Sequence, residues 1–245
     1  MAPSTGDRLV YAVGDIHGRL DLLRPLIEDI AADAHLSAQK DRPLLVFLGD
    51  YVDRGPHSRK VIDLILWLIA DGHFEVCALK GNHEEALLKF LDTPSFGSSW
   101  IEHGGAPTLV SYGVQPPTRR TDPDAWVETR EEFAAAVPQE HKDFFENLSH
   151  TAVVGDYVFV HAGVRPGVPL SEQEERDLLW IRQDFLASEG PFEKVVVHGH
   201  TPSEAPQLLA HRLGIDTGAY ATGVLTAIRL HGADQQTMQS VANKS

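Results

Sequence analysis

Between Leu9 and Leu91 short apolar runs alternate with stretches of helical spacing, and this rhythm constrains the fold more than any other feature of the chain. Leu9 to Val13, Leu44 to Leu48 and Val76 to Leu79 read as buried strands. Between them Leu22, Leu23, Leu26, Ile27 and Ile30 recur as one face of a helix, and Val61, Ile62, Ile65, Leu66, Leu68 and Ile69 mark a second. Gly72 stands where that second helix should stop, because glycine takes the left-handed backbone of a C-terminal cap without steric penalty. A third helix is expected from about Glu84 to Leu91. This β-α-β-α-β-α order predicts right-handed crossovers and a largely parallel sheet region, so the chain reads as α/β.

Each of the three strands runs into a polar, glycine-flanked stretch: Gly14-Asp15-Ile16-His17-Gly18, Gly49-Asp50-Tyr51-Val52-Asp53-Arg54-Gly55 and Gly81-Asn82-His83-Glu84. Strand ends are where α/β folds place ligands. Asp15 and His17 alternate across Ile16, so on an extended strand end both can point to one side. A carboxylate with an imidazole suits Mn²⁺, Fe or Zn²⁺. Carboxylates, imidazoles and an amide from several strand ends are what a pair of divalent ions needs, and two metals in one cleft usually mean hydrolysis of a phosphate ester. Two later histidines are further candidates: His161 in Val160-His161-Ala162-Gly163, and His200 in His198-Gly199-His200-Thr201-Pro202. Taken singly, any Gly-Asp pair is equally a turn, and any histidine a satisfied core residue.

From Asp92 to about His150 prolines, glycines and charges dominate, with helical patterns near Asp124–Ala136 and Gln139–Leu148, the second opened by Pro138. This segment is expected to be a helical cap inserted beside the catalytic face, without a core of its own. Strands return after it. Thr151–Val154 and Tyr157–His161 flank Gly155-Asp156, a hairpin link, and Lys194–Val197, Leu213–Ile215 and Val224–Leu230 follow. The residues from Ala233 to Ser245 are polar and are expected to fray.

The 245 residues are enough for one α/β domain, taken as 1–245. A net charge of −14 argues against generic binding to nucleic acid or to an anionic membrane, both of which reward clustered Lys and Arg. The single cysteine, Cys77, lies in the apolar run Val76-Cys77-Ala78-Leu79 and reads as a small buried residue. The first residues carry no apolar signal region, so a cytoplasmic enzyme is the expectation.

In order and spacing the three glycine-flanked stretches resemble the calcineurin-like metallophosphoesterases, and within them the serine/threonine phosphoprotein phosphatases of compact bacterial and phage type. The resemblance runs from about Arg8 to Leu230. It implies an α/β/β/α sandwich of two mixed sheets. It also implies two metal ions, most often Mn²⁺, with Fe or Zn²⁺ as alternatives. Asp15, His17 and Asp50 would hold the first ion, and Asp50, Asn82, His161 and His200 the second, with Asp50 bridging. His198 does not match a ligand position and is expected to be structural. His83 resembles the general acid, Asp53 the carboxylate paired with it, and Arg54 a phosphate clamp. Arg182, in Leu179-Trp180-Ile181-Arg182, resembles a second phosphate clamp and competes with a surface salt-bridge reading. Tyr220, Glu102 and His103 carry no assigned role.

What the resemblance implies is one-step hydrolysis of phosphomonoesters by metal-activated hydroxide, with phosphoserine and phosphothreonine proteins as substrates, and phosphotyrosine a further one. Asp53 and Glu84 favour that branch. The alternative is a symmetrical bis(5′-nucleosyl)-tetraphosphatase acting on diadenosine tetraphosphate. A non-catalytic phosphate-binding module is disfavoured, because no expected ligand or acid is missing.

Overall fold

The computed structural model describes residues 2–37 and 41–242. The alternating pattern of the first third folds as expected: β1 (Leu9–Val13), α1 (Leu20–Leu36), β2 (Leu44–Phe47), α2 (Ser58–Asp71), β3 (Glu75–Ala78) and α3 (Asn82–Asp92). Strands β1, β2 and β3 pair in parallel. Gly72 caps α2 in the left-handed conformation at φ 74°. Helix α3 begins two residues before the expected Glu84, which places Asn82 and His83 in its first turn.

The next segment carries α4 (Gly97–Glu102), α5 (Ala106–Ser111), α6 (Pro123–Ala136) and α7 (Gln139–Glu146). The chain then returns through β4 (Thr151–Val154) and β5 (Tyr157–Val160), a hairpin closed at Gly155-Asp156. Two short helices, α8 (Glu175–Trp180) and α9 (Gln183–Leu186), precede β6 (Val195–His198), β7 (Gln207–Leu208) and β8 (Arg212–Gly214). After α10 (Ala219–Thr222) the described chain ends in β9 (Val224–His231) and β10 (Asp234–Val241).

Two five-stranded mixed sheets result, in the orders β10-β9-β1-β2-β3 and β4-β5-β6-β8-β7. Alternation of side chains builds the layers. On β1, Leu9, Tyr11 and Val13 face a core shared with α1 and α2, whereas Val10 and Ala12 enter a second core between the sheets. On β5, Tyr157 and Phe159 join that middle layer, while Val158 and Val160 pack outward on Leu178, Ile181 and Phe185. Helices therefore cover both outer faces, giving the expected α/β/β/α sandwich.

One expectation is corrected. The polar residues after Ala233 do not fray: Asp234–Val241 pair along the whole of β9, turning at Gly232, which takes φ 58°. An edge strand with one face in water can be polar throughout, so its composition imitates a tail; Asn243 to Ser245 lie outside the described residues. The segment 92–150 packs into the main core. Trp100, Trp126, Phe133 and Phe145 belong to the same buried cluster as Leu22 and Ile62. Cys77 is half-buried against the middle layer, and burial raises its thiol pKa. No helix among the described residues is long and apolar enough to cross a membrane.

Candidate active site

All the glycine-flanked stretches converge at the strand ends of the two sheets. Five non-glycine residues among those described have positive φ: His17 (49°), Asp50 (52°), Asp53 (72°), Arg54 (65°) and His200 (65°). Every one of them was singled out above for its chemistry. Left-handed backbone costs a non-glycine residue roughly 1–3 kcal/mol and persists only where surrounding structure enforces it. Here the strain is confined to one place.

Asp50 is the centre of the arrangement. His17 donates Nδ1–H to the Val52 carbonyl at 2.8 Å, which leaves the lone pair of its Nε2 facing Asp50 Oδ2 at 3.4 Å. His161 likewise donates Nδ1–H to the Leu48 carbonyl at 2.8 Å, and its bare Nε2 faces Asp50 Oδ1 at 3.4 Å and Asn82 Oδ1 at 2.9 Å. His200 turns Nδ1 to the same Asn82 Oδ1 at 2.8 Å, while its Nε2 is buried with no hydrogen-bond partner. Acceptor set against acceptor in a buried site is repulsive, and a cation between them turns each repulsion into attraction. Each Asp50 oxygen thus has its own imidazole, the arrangement a bridging carboxylate requires. With carboxylate, imidazole and amide donors the residues fit a pair of divalent metal ions.

Titration behaviour agrees. Burial pushes His17 down to about 3 and His200 to about 2, and lowers His161 as well, so all three stay neutral and able to donate lone pairs. Burial alone would raise the Asp50 carboxyl, but His161, His83, His17 and His200 hold it well below the usual carboxylate range. His83 belongs to the same buried group, with Nε2 4.0 Å from Asp50 Oδ2. Both of its ring nitrogens are already engaged, Nδ1 by Asp53 at 2.7 Å and Nε2 by Arg54 Nη2 at 3.1 Å, so it is not placed as a ligand.

Asp15 stands differently from the other candidates. Its carboxylate receives the His200 backbone N–H at 3.0 and 3.1 Å. Burial raises its pKa, and the nearby charges of Asp216 and Asp50 raise it further. Asp216 is itself pushed up to about 6 by burial. Close approach is possible only because the neighbour is Gly199, where a Cβ would lie 2.0 Å from Asp15 Oδ1.

Glu84 holds the second loop in shape. Its two oxygens accept the backbone N–H groups of Asp50 (2.8 Å), Tyr51 (2.8 Å), Val52 (3.2 Å) and Gly81 (3.0 Å). Burial and the Asp50 charge raise its pKa to about 8, and the backbone donors oppose them. At Gly81 a Cβ would lie 2.2 Å from Asp50 Oδ1, so only glycine lets α3 start against that carboxylate.

The His83–Asp53 pair is gripped from the segment that carried no sequence motif. Trp100 Nε1 donates to Asp53 Oδ2 at 2.9 Å, and the Thr108 hydroxyl donates to Oδ1 at 2.6 Å. The same hydroxyl accepts the Asp53 backbone N–H at 2.8 Å. Gly104 O accepts the Arg54 N–H at 2.8 Å. Burial works against protonating His83, but the charge of Asp50 and the bond and charge of Asp53 outweigh it and push the imidazole up to about 9.

At the rim the Arg54 guanidinium lies 4.4 Å above the Tyr220 ring, and that ring packs edge-on against His17. Arg182 is exposed and outside the ligand clusters, although its charge disfavours protonation of both His161 and His200. His198 is buried behind the site against Phe185, pushed down to about 3 by burial, which accords with a structural role. His103 and Glu102 close the short helix α4 and touch none of the candidate ligands.

The profile of the calcineurin-like phosphoesterase family matches residues 9–223. The chain belongs to that family. Among characterised relatives of this phosphoesterase, bis(5′-nucleosyl)-tetraphosphatase PrpE of the asymmetrical type from Bacillus thuringiensis (strain Al Hakam) is 28% identical over 235 residues, covering 89% of this chain and 88% of the relative. The same-named protein of Bacillus mycoides (strain KBAB4) is 29% identical over the same length. Solved structures share the fold. A candidate diadenosine tetraphosphatase superposes with a TM-score of 0.66 at 21% identity, covering 99% of this chain and all of that one. A serine/threonine phosphatase from Saccharomyces cerevisiae gives 0.58 at 16% identity, covering 98% of this chain and 82% of that one.

Proposed function

We propose that this phosphoesterase hydrolyses dinucleoside polyphosphates, cutting a dinucleoside tetraphosphate into unequal parts, a nucleoside triphosphate and a monophosphate. The observation carrying the substrate is the name shared by relatives that match nearly the whole chain. That name specifies asymmetrical cleavage, so it is this form, not the symmetrical one weighed above as the alternative, that we propose. The chemistry rests on Asp50, flanked on its two oxygens by His17 and His161.

Asp15, His17 and Asp50 would hold one divalent ion, and Asp50, Asn82, His161 and His200 the other, with Mn²⁺ well suited to this mixed oxygen and nitrogen set. When bound, the ions would supply a water of pKa lowered towards 7 and positive charge opposite the phosphate under attack. The attacking water gives up a proton to solvent, its oxygen bonds to phosphorus, and the bridging P–O bond breaks. The departing oxygen takes its charge, or a proton from His83 Nε2. Asp53 holds the opposite nitrogen and fixes the ring. In the free protein Arg54 Nη2 lies 3.1 Å from His83 Nε2 and its charge disfavours the imidazolium, so a phosphate that draws Arg54 onto itself favours the protonated ring. Arg182, whose charge is felt at His161 and His200, would hold a phosphate on that side.

A second reading, phosphoserine and phosphothreonine proteins as substrates, is favoured by the His83–Asp53 pair, because an alkoxide leaves only with a proton whereas a nucleotide phosphate is a good leaving group. The deciding assay compares kcat/KM of the Mn²⁺-loaded protein on diadenosine tetraphosphate and on phosphoserine or phosphothreonine peptides, with product identity and His83→Asn as contamination control. Preference for the dinucleotide with ATP and AMP as products supports the first reading. Preference for peptides, or two ADP products, refutes it.

A further inference from the structure

A cavity of about 410 Å³ is bounded by Trp180, Arg176, Arg182 and the paired Arg165 and Asp177. That volume lies within the range of small-molecule sites, about 300–1,000 Å³. Trp180 is 44% exposed, yet its indole is held in place. Nε1–H donates to Glu85 at 2.8 Å, and the ring packs edge to face against His200, with centres 6.2 Å apart. A half-exposed indole anchored against a candidate metal ligand offers a flat apolar surface at the mouth of the site. The charges around it are unequally spent. Asp177 accepts two hydrogen bonds from Arg165, at 2.6 and 2.7 Å, and Asp184 approaches the same guanidinium at 3.8 Å. Glu174 is exposed at the cavity edge. The guanidinium groups of Arg176 and Arg182 make no hydrogen bond or ion pair among the described residues. Two guanidinium groups thus remain available to an anion beside an aromatic plane.

We propose that this cavity is the subsite for one nucleoside of the dinucleoside polyphosphate, its base stacked on Trp180 and its adjoining phosphates on Arg182 and Arg176. The proposal rests on the substrate reading above and adds the residues that tell a nucleotide from a bare polyphosphate. Aromatic stacking accepts every base, so the subsite selects for the presence of a nucleobase more than for its identity.

The test is calorimetric binding to Mn²⁺-loaded protein carrying His83→Asn, with diadenosine tetraphosphate and inorganic tripolyphosphate as probes. Tripolyphosphate keeps the anhydride and lacks the base. Adding Trp180→Ala should weaken the dinucleotide about five- to 150-fold and leave tripolyphosphate within about threefold. Trp180→Phe, which keeps an aromatic face, should recover most of the loss. Equal weakening of both probes, or an unchanged dinucleotide, overturns the proposal. Turnover by the wild-type protein separates the two readings. Dinucleotide binding that depends on Trp180 without hydrolysis would leave the subsite standing and remove the proposed activity. No dinucleotide binding at all would remove both.

Discussion

Replacing Thr108 by valine removes a single hydroxyl and keeps the shape of the side chain. That hydroxyl is fully buried, donates to Asp53 Oδ1 at 2.6 Å, accepts the Asp53 N–H at 2.8 Å and touches Ser58 Oγ at 3.1 Å. In the variant the N–H keeps Ser58 at 3.2 Å, but Oδ1 has no other partner among the hydrogen bonds described. Losing a hydrogen bond to a charged, buried acceptor costs about 1.5–3 kcal/mol. Stability should fall by about that amount, read from the urea midpoint at unchanged slope. Asp53 Oδ2 still binds Trp100 and His83, so the pair survives with one side of its carboxylate untethered. If about half of the lost energy, roughly 0.75–1.5 kcal/mol, appears as misorientation of His83, kcat falls about four- to thirteenfold. The loss should concentrate on poor leaving groups, the only ones that need His83's proton. The assay is kcat across a series of aryl phosphates of rising leaving-group pKa, with Thr108→Ser as the rescue. A wild-type midpoint with a wild-type leaving-group dependence would refute the reasoning.

Other expectations follow from the same geometry. His83 must be protonated to act as an acid, so kcat for poor leaving groups should be present at low pH and lost as pH rises through the His83 pKa. Asp50 contributes to the value of about 9, and that contribution shrinks once Asp50 holds cations, so the descending limb should lie at or below pH 9; in His83→Asn it should be absent. Asp50→Asn removes the charge and one of the two acceptor oxygens. Metal affinity, measured by chelator competition, should drop by more than the roughly 10–100-fold typical of groups behind a ligand, and two tightly held ions would contradict the bridging role. Gly81→Ala brings a methyl to 2.2 Å from Asp50 Oδ1 and 2.4 Å from the Asp50 nitrogen. It should destabilise the protein by at least about 1–3 kcal/mol and weaken metal binding together, which thermal melts with and without Mn²⁺ would register.

What was legible in the sequence was whatever announces itself by chemistry at a strand end. Asp15, His17, Asp50, Asn82, His161 and His200 each stand at or near the end of an apolar run; the fold brings His17, Asp50, Asn82, His161 and His200 into one buried centre, with Asp15 held against the His200 backbone. Asp216 carries the same mark in Ile215-Asp216-Thr217-Gly218 and was passed over. Glu84 was visible as an acid at the third position of α3, yet its role as an acceptor for four backbone donors depends on where the Asp50 loop lies. Trp100 and Thr108 were invisible. An indole in an aromatic cluster and a threonine on a short helix look like ordinary core until a carboxylate from 47 and 55 residues earlier lands between them. Strand β10 was lost for a different reason, since pairing through the backbone leaves no trace in side chains that face water.

The helices of segment 92–150 also bear on how the enzyme moves. Trp100 stacks on Phe90, with ring centres 5.0 Å apart, and Phe90 in turn meets Trp126 and Phe133. Swinging these helices away to admit a substrate would expose several such side chains, at about 1.5–3 kcal/mol each. The sum approaches the whole stability of an ordinary domain, about 5–15 kcal/mol. It would also strip Asp53 of both donors that hold it against His83. Opening this segment is therefore too costly to gate the site, which leaves entry and exit to rim side chains such as Arg54 and Tyr220 rather than to a closing lid.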